Sequence, residues 1–371
     1  MGDWKPQLHA GHALSYEQFT IAIGELEYDD QFTAILSYDG RVPQPWKRVD
    51  VRREIQDLAY VDVTGEAEPI PIALGNEGDV YAILSDRVDW SKIPAAGVLS
   101  EDADGRGAVY GLLVYGATQY VLGRSKQLYA REGLGDWRTL SLDPDRPPGY
   151  EQEDYGSGAL LPGNGLILRS NQRPGTREGS FMDDPRFRDD MTPDEIDALM
   201  LEYISPSEST EPITRLYHYR DETFTQLDIP EDVSIRDVYV DPMGRVWLVG
   251  VDGLIMRGRL EGGFERLDFH GDTEMLHSAT WFQGELILAW GYGLYRFDGH
   301  RVISMKPKLN DPFRNQNTPT PMKLQTVGAG DEAVMFYFDY KHGVCRWDGE
   351  TWDWIDIPPE LLEREFSGLG R

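Results

Sequence analysis

Histidine is the side chain best suited to acid–base or metal chemistry near neutral pH, and this sequence has seven. They stand at positions 9, 12, 218, 270, 277, 300 and 342. None has a second ligand at a recognised metal spacing. We expect His9 and His12 to lie in a fraying N-terminal segment. His270 and His277 flank acidic residues, which leaves a metal or acid–base site open there, but we otherwise expect no metal and no cofactor.

Sequence motifs for covalent catalysis are missing. There is no Gly-x-Ser-x-Gly elbow, no Walker loop and no zinc signature. The single cysteine, Cys345, lies in an apolar run and is predicted to be a buried, unreactive thiol. A glycosidase-type pair of carboxylates could stand anywhere among the 64 acidic residues. The motifs therefore indicate no catalytic residue and leave only that pair open.

The charge balance narrows the class of partner. The 371 residues include 36 Lys and Arg against 64 Asp and Glu, a net charge of −28. Such a charge argues against direct binding to nucleic acid or to an anionic membrane. One cysteine excludes an internal disulfide and fits a reducing compartment, and no apolar run approaches the length of a membrane span. We expect a soluble, cytoplasmic protein.

A repeated unit organises the chain. Each copy has a short apolar strand, a polar turn and then a strand that begins with an aromatic or bulky residue. The turns fall at Asp39, Asp86, Gly133, Asp221, Glu261, Asp298 and Asp348. Their intervals match the period of propeller blades, roughly 40–50 residues, once the polar stretch 171–212 is set aside. The pattern predicts an all-β fold, a seven-bladed β-propeller of four-stranded antiparallel blades.

The domain prediction follows from the same repeat. Because each unit buries its apolar faces only against its neighbours, residues 1–371 should form one domain. Four strands are clearest in the fifth unit, where tight turns separate Ile235–Val240, Arg245–Gly250, Leu254–Arg257 and Phe264–Asp268. The first unit is the least regular. Six blades with an N-terminal excursion is therefore the structural alternative.

One motif carries a family resemblance. The fifth unit reads Asp241-x-x-Gly244-x-Val246-Trp247-Leu248, and residues 284–297 show a similar pattern without its Asp and Trp. These two units resemble the repeat of two-component regulator propellers. The resemblance implies a propeller of sensory or binding type. That family carries its propeller beside a kinase part, which this sequence lacks, so the sensor role is not carried over.

The polar stretch 171–212 is predicted to be a partly helical insertion in the fourth blade, between its second and third strands. Thr192 and Glu195 have the spacing of a helix-capping box, with Pro at the first helical position. An apolar stripe follows at Ile196, Leu199, Met200 and Tyr203. The stripe favours a helix docked on the blades; the alternative is a partner-binding helix, with Tyr203 as a contact.

The connections between blades are acidic. In a four-stranded blade they open on the same face as the predicted insertion. The candidate partner-binding residues on that face are Glu101, Asp102, Asp104, Glu151, Glu153, Asp154, Asp272 and Glu274, together with Tyr203. Only the connection before the last blade is basic, with Lys306, Lys308 and Arg314. Such a ring would attract a cationic partner, although acidic loops are commonly no more than solvated.

These observations predict a non-catalytic binding protein that docks a basic protein partner through an acidic propeller face. An immunity or inhibitor protein for a bacterial toxin would fit, since it could cover a basic cleft. The alternative is a propeller enzyme acting on a carbohydrate or lactone at the central pocket, which needs polar groups from several blades at the channel mouth. A small-molecule sensor is the third, weaker hypothesis.

Overall fold

In a computed structural model, the structure describes residues 6–24, 32–98, 103, 106–140, 153–161, 163, 165–172, 188, 191–192, 195, 213–230, 233–267, 275–291, 293–305, 320–341 and 343–363. Within these residues, 28 strands form seven sheets, and each sheet holds four antiparallel strands in chain order. Three short 3-10 helices lie at Val251–Gly253, Gly330–Glu332 and Pro359–Leu361. No helix in the described ranges has the length and apolarity to cross a membrane.

The first four blades run as follows. Blade 1 holds β1 (Gln7–Ser15), β2 (Gln18–Gly24), β3 (Thr33–Asp39) and β4 (Trp46–Val51). Blade 2 holds β5 (Ile55–Val61), β6 (Ile70–Gly75), β7 (Asp79–Ile83) and β8 (Val88–Lys92). Blade 3 holds β9 (Val109–Tyr115), β10 (Thr118–Gly123), β11 (Leu128–Glu132) and β12 (Arg138–Thr139). Blade 4 holds β13 (Glu153–Leu161), β14 (Gly165–Gln172), β15 (Ile213–Arg220) and β16 (Thr223–Leu227).

The last three blades repeat the pattern. Blade 5 holds β17 (Ile235–Val240), β18 (Val246–Gly250), β19 (Ile255–Arg259) and β20 (Gly263–Arg266). Blade 6 holds β21 (Leu276–Phe282), β22 (Glu285–Trp290), β23 (Gly293–Phe297) and β24 (Val302–Met305). Blade 7 holds β25 (Pro321–Val327), β26 (Val334–Asp339), β27 (Gly343–Trp347) and β28 (Trp352–Ile355). The prediction of a seven-bladed, all-β propeller is confirmed.

The first strand of each blade lines the centre, and these seven strands contact one another in order until β25 meets β1. Each blade is built from four consecutive strands, so the N-terminal strand pairs within blade 1 and does not complete blade 7. The side-chain amide of Gln325 on β25 bonds both the N–H and the carbonyl of Ala13 on β1, at 2.9 and 2.8 Å. Arg346 on β27 donates to the carbonyl of Tyr16 at 2.7 Å. The six-blade alternative is therefore wrong, because residues 7–15 form an inner strand.

The core is divided among the blade junctions. Seven apolar clusters are buried, and each joins two neighbouring blades, including the first and the seventh. Both faces of every sheet are thus covered, which is why the second strands read as continuous apolar runs. On β18, for example, every residue from Val246 to Gly250 is buried. Cys345 has no exposed surface, and burial raises the pKa of its thiol, so the predicted burial is confirmed.

The recurring aspartates of the repeat close turns. The Asp348 carboxylate accepts hydrogen bonds from the backbone N–H groups of Glu350 and Thr351 and from the Thr351 hydroxyl, at 2.7–2.8 Å. These bonds lower the pKa of Asp348 to about 2. Asp298 accepts two backbone N–H groups in the equivalent turn of blade 6, each at 3.0 Å. The regularity that reveals the blades in the sequence is therefore turn chemistry.

Candidate functional site

One face of the ring collects the long connections. Glu153, the first residue of β13, is paired with Gln172, the last residue of β14, and Gln172 is paired in turn with Ile213 at the start of β15. Residues 173–212 therefore leave the blade beside the point where the connection from blade 3 arrives. All seven sheets share this antiparallel order, so all connections between blades reach the same side. We call this side the insertion face.

Most of the predicted partner-binding residues belong to these connections but lie outside the described residues. They are Glu101, Asp102, Asp104, Glu151, Tyr203, Asp272 and Glu274. Within the insertion, the Glu195 carboxylate accepts hydrogen bonds from the backbone N–H and hydroxyl of Thr192, both at 2.8 Å. The Glu195 N–H returns a bond to the Thr192 hydroxyl at 3.4 Å. These are the reciprocal bonds of the predicted capping box.

Glu153 and Asp154 were expected to be exposed carboxylates on the rim, but the structure buries both. Both stand on β13, and their exposed fractions are only 3% and 7%. Glu153 accepts hydrogen bonds from Ser170 at 2.5 Å and Tyr217 at 2.9 Å, and it pairs with Lys126. Burial alone would raise the Glu153 pKa, but these partners hold it below the usual range. The Glu153 carboxylate therefore joins blades 3 and 4 inside the protein.

A ring of β-bulges surrounds the centre of the insertion face. Every inner strand has one, near its first residues, where a single residue interrupts the pairing with the second strand. The interrupting residues are His9, Gln56, Tyr110, Gly156, Arg236, His277 and Met322. A bulge bends a strand and turns its side chains in a new direction. All of these residues except Arg236 line a central cavity of about 500 Å³.

The residue after each bulge forms a second ring in this cavity. In blade order the ring is Ala10, Asp57, Gly111, Ser157, Asp237, Ser278 and Lys323. It contains two carboxylates, one ammonium group and four small residues. The channel mouth consequently carries polar groups from several blades among apolar side chains. This arrangement meets the condition set above for ligand binding or catalysis at the centre.

Two aspartates of this ring hold the blades together in the same way. Asp57 and Asp237 each accept a hydrogen bond from the N–H of the next residue and another from the inner strand of the following blade. The four distances lie between 2.9 and 3.2 Å. The donors are Leu58, Leu112, Val238 and Ala279. Each carboxylate therefore has a structural role and also lines the cavity.

Three histidines line the same cavity. His9 and His12 lie on β1, so the expectation that they fray with the N-terminus is wrong. Burial lowers the pKa of His12 to about 3, and it also lowers the pKa of His9 and His277. The ring of His277 lies 2.6 Å from the carbonyl of Pro321 through Nε2. These imidazoles are neutral at pH 7. Among the described side chains, no three of His, Cys, Asp and Glu group closely enough to hold a metal.

The sequence analysis did not find the cavity residues because it assumed that side chains alternate strictly between the two faces of a strand. Each bulge adds one residue and shifts that alternation. A local signal does exist. The segments Ile55-Gln56-Asp57-Leu58 and Ile235-Arg236-Asp237-Val238 share the pattern Ile-x-Asp-apolar at the start of an inner strand. A carboxylate two residues into a buried strand is unusual unless its oxygens have partners. The repeated pattern could have pointed to the two bridging aspartates.

Comparison with known proteins supports the fold alone. No family model matches the sequence, and no curated protein matches it either. A catalytically inactive virginiamycin B lyase from Staphylococcus aureus with quinupristin superposes with a TM-score of 0.57 at 10% identity, covering 93% of this chain and 96% of that one. This solved structure has the fold in common with the protein, at an identity too low to transfer an activity.

Two further solved structures have the same architecture. YCF48 bound to a D1 peptide gives a TM-score of 0.56 at 10% identity, over 93% of this chain and 92% of that one. The WD40 propeller domain of Doa1 gives 0.53 at 10% identity, over 92% of both chains. The solved propellers to which the chain is similar are thus a lyase, a protein bound to a peptide and a WD40 domain.

Proposed function

We propose that this protein is a non-catalytic binding module that docks a basic protein partner through its insertion face. The observation that carries the proposal is that three features share one face: the strand ends that flank residues 173–212, the strand ends that the inter-blade connections join, and the mouth of the central cavity. Between 173 and 212 the sequence has eleven acidic and four basic residues. A face of this charge raises the local concentration of a cationic partner and disfavours an anionic one.

The proposal extends to the biological role. A partner with a basic, anion-binding cleft would be covered and inactivated by such a face, so an immunity or inhibitor protein for a bacterial toxin is the role we favour. We place it in the cytoplasm, because its one cysteine, Cys345, allows no internal disulfide and fits a reducing compartment. The likeness of blade 5 to regulator propeller repeats supports a binding role, and so does the peptide complex among the propellers of similar fold.

The test compares two sets of charge-neutralising substitutions in the purified, tagged protein. One set, the insertion-face set, changes the sequence that connects blades 5 and 6, Asp272→Asn with Glu274→Gln. The matched control is on the opposite face, Asp331→Asn with Glu332→Gln, in the exposed turn between β25 and β26. Proteins retained from native lysate at low and high salt are then compared for the three forms.

A basic partner that is lost at high salt should also be lost with the insertion-face set and kept with the control set. Equal loss with both sets would indicate a nonspecific charge effect. Retention by the insertion-face set, or a partner indifferent to salt, would exclude docking through this face.

The polar groups that several blades contribute to the cavity favour a second candidate function, catalysis on a carbohydrate or lactone. Asp57 and Asp237 are the carboxylates that the described cavity offers for it. Chromogenic glycosides and lactones should then be turned over by the wild-type protein and not by Asp57→Asn or Asp237→Asn. Absence of turnover across both substrate classes would remove this candidate.

A further inference from the structure

The two bridging aspartates differ in one respect. Asp57 has a cation in this chain, because Nζ of Lys323 lies 3.4 Å from its Oδ1. Lys323 belongs to blade 7 and Asp57 to blade 2, so the ammonium group reaches across blade 1. Blade 1 contributes only Ala10 at this level of the ring, and the small side chain leaves the space that Lys323 needs.

Asp237 has the same backbone bonds, but among the described residues it forms no ion pair. The charges of Arg169 and Lys323 favour its ionised form without a direct contact to its carboxylate. Burial raises the pKa of Asp237 to about 6, although its two backbone hydrogen bonds and those two cations favour the charged form. At neutral pH the carboxylate is thus largely ionised but poorly compensated, a condition that a bound cation would relieve.

The surroundings of Asp237 have room for such a cation. Its neighbours in the ring are Ser157 and Ser278, both small and polar, and the carboxylate is partly exposed to the cavity. Tyr239 also lines the cavity and offers aromatic surface to a cationic group. An alkyl chain can lie along the apolar part of the lining while its charged end reaches the carboxylate.

We propose that Asp237 anchors an alkyl-ammonium or guanidinium group that enters the central cavity from the insertion face. The group is a lysine or arginine side chain of the partner, and in this respect the inference rests on the proposed function. Lys323 occupies the equivalent place beside Asp57 within the chain itself. The cavity therefore contains two similar aspartates, of which only Asp57 is paired with an ammonium group among the described residues.

Small cations test the anchor on the purified protein without any partner. n-Butylammonium and n-butylguanidinium are titrated by calorimetry at pH 7.5, with neutral pentanamide as the uncharged control. We expect saturable binding of both cations and none of pentanamide. Asp237→Asn should weaken the binding at least about tenfold, the loss of one charge-assisted hydrogen bond. The matched variant is Glu265→Gln, an exposed carboxylate on the outer strand β20, and it should bind as the wild type does.

Circular dichroism and the unfolding midpoint show whether Asp237→Asn keeps its fold. Equal binding by folded Asp237→Asn and wild type, or no preference for the cations over pentanamide, would overturn the inference. A short peptide with one lysine is then compared with spermidine, and tighter binding of spermidine would overturn the assignment to a partner's side chain. If Asp237→Asn still retains the basic partner from lysate, the cation anchor is contradicted but the proposed function is not. If the small cations bind but no basic partner is retained from lysate, the proposed function is contradicted but the anchor is not.

Discussion

Replacing Asp241 by alanine should destabilise the fold strongly, because one carboxylate organises the turn between β17 and β18. Its side chain has no exposed surface. It accepts hydrogen bonds from the backbone N–H groups of Met243 and Arg245 at 2.9 and 3.0 Å, from Nε of Arg245 at 2.6 Å and from Nε1 of Trp247 at 2.9 Å. These contacts give a physical reason for the Asp-x-x-Gly-x-Val-Trp motif.

The size of the destabilisation depends on whether each hydrogen-bond donor can find another partner once the Asp241 carboxylate is removed. Trp247 is 2% exposed, so its indole N–H would be left without a partner, at a cost of about 1–3 kcal/mol. The two backbone N–H groups can turn to water, and losing their carboxylate resembles the loss of a helix cap, about 1 kcal/mol. The partly exposed Arg245 pair adds less than about 1 kcal/mol. We expect Asp241→Ala to lower the free energy of unfolding by about 3–4 kcal/mol.

Urea unfolding of four proteins measures the effect. These are the wild type, Asp241→Ala, Trp247→Phe and the double variant. Because Trp247→Phe removes the donor, the double variant should show a coupling energy of about 1–2 kcal/mol between the two sites. A loss below about 1 kcal/mol in Asp241→Ala, or zero coupling, would refute the reasoning.

The pKa of Asp241 is held below its usual range, since hydrogen bonds from Trp247 and Arg245 outweigh the opposing effect of burial. The stabilisation should therefore be present at neutral pH and lost as the pH falls through this lowered value.

Three further predictions use other parts of the ring. Gly156→Ala should cost about 1–3 kcal/mol in urea unfolding, because its Cβ would lie 1.9 Å from Nη2 of the buried Arg169, whereas Gly262→Ala, with open space around it, should be nearly neutral. Cys345 should not react with an aromatic disulfide reagent until the protein unfolds, and rapid labelling of the folded protein would contradict its burial. Asp237 has a folded pKa raised to about 6, so its contribution to stability is full below the unfolded pKa and falls as the pH rises through 6. Relative to the wild type, Asp237→Asn should therefore gain stability between pH 4 and pH 7, and a constant difference would show that the carboxylate is not perturbed.

The blades were predictable because their determinants are local. The aspartates of three turns, Asp39, Asp298 and Asp348, accept hydrogen bonds from residues two or three positions away. The apolar runs of the second strands follow from burial on both faces of a sheet. Even the capping box of Thr192 and Glu195 is a contact over three residues. Contacts between residues two or three positions apart can be predicted from one sequence without knowing which other elements pack against them.

The centre of the ring was not predictable in the same way. His9 and His12 were expected in a frayed N-terminus, but they line the cavity because residues 7–15 form an inner strand that contacts the first strands of blades 2 and 7. Glu153 was expected on the rim and lies inside, because Lys126 from the preceding blade and Tyr217 from its own blade surround it. Both differences depend on neighbours that are distant in the chain.

Local patterns in the sequence indicated the repeat, the turns that close the blades and the excess of negative charge on the connections, but they left six and seven blades open. The folded ring settles the number of blades and brings the polar groups together at the centre, because seven strands from the whole length of the chain converge there. The pair of Asp57 and Lys323, 266 positions apart, illustrates the reason. Closure of the ring brings them to 3.4 Å and leaves Asp237 without the same partner.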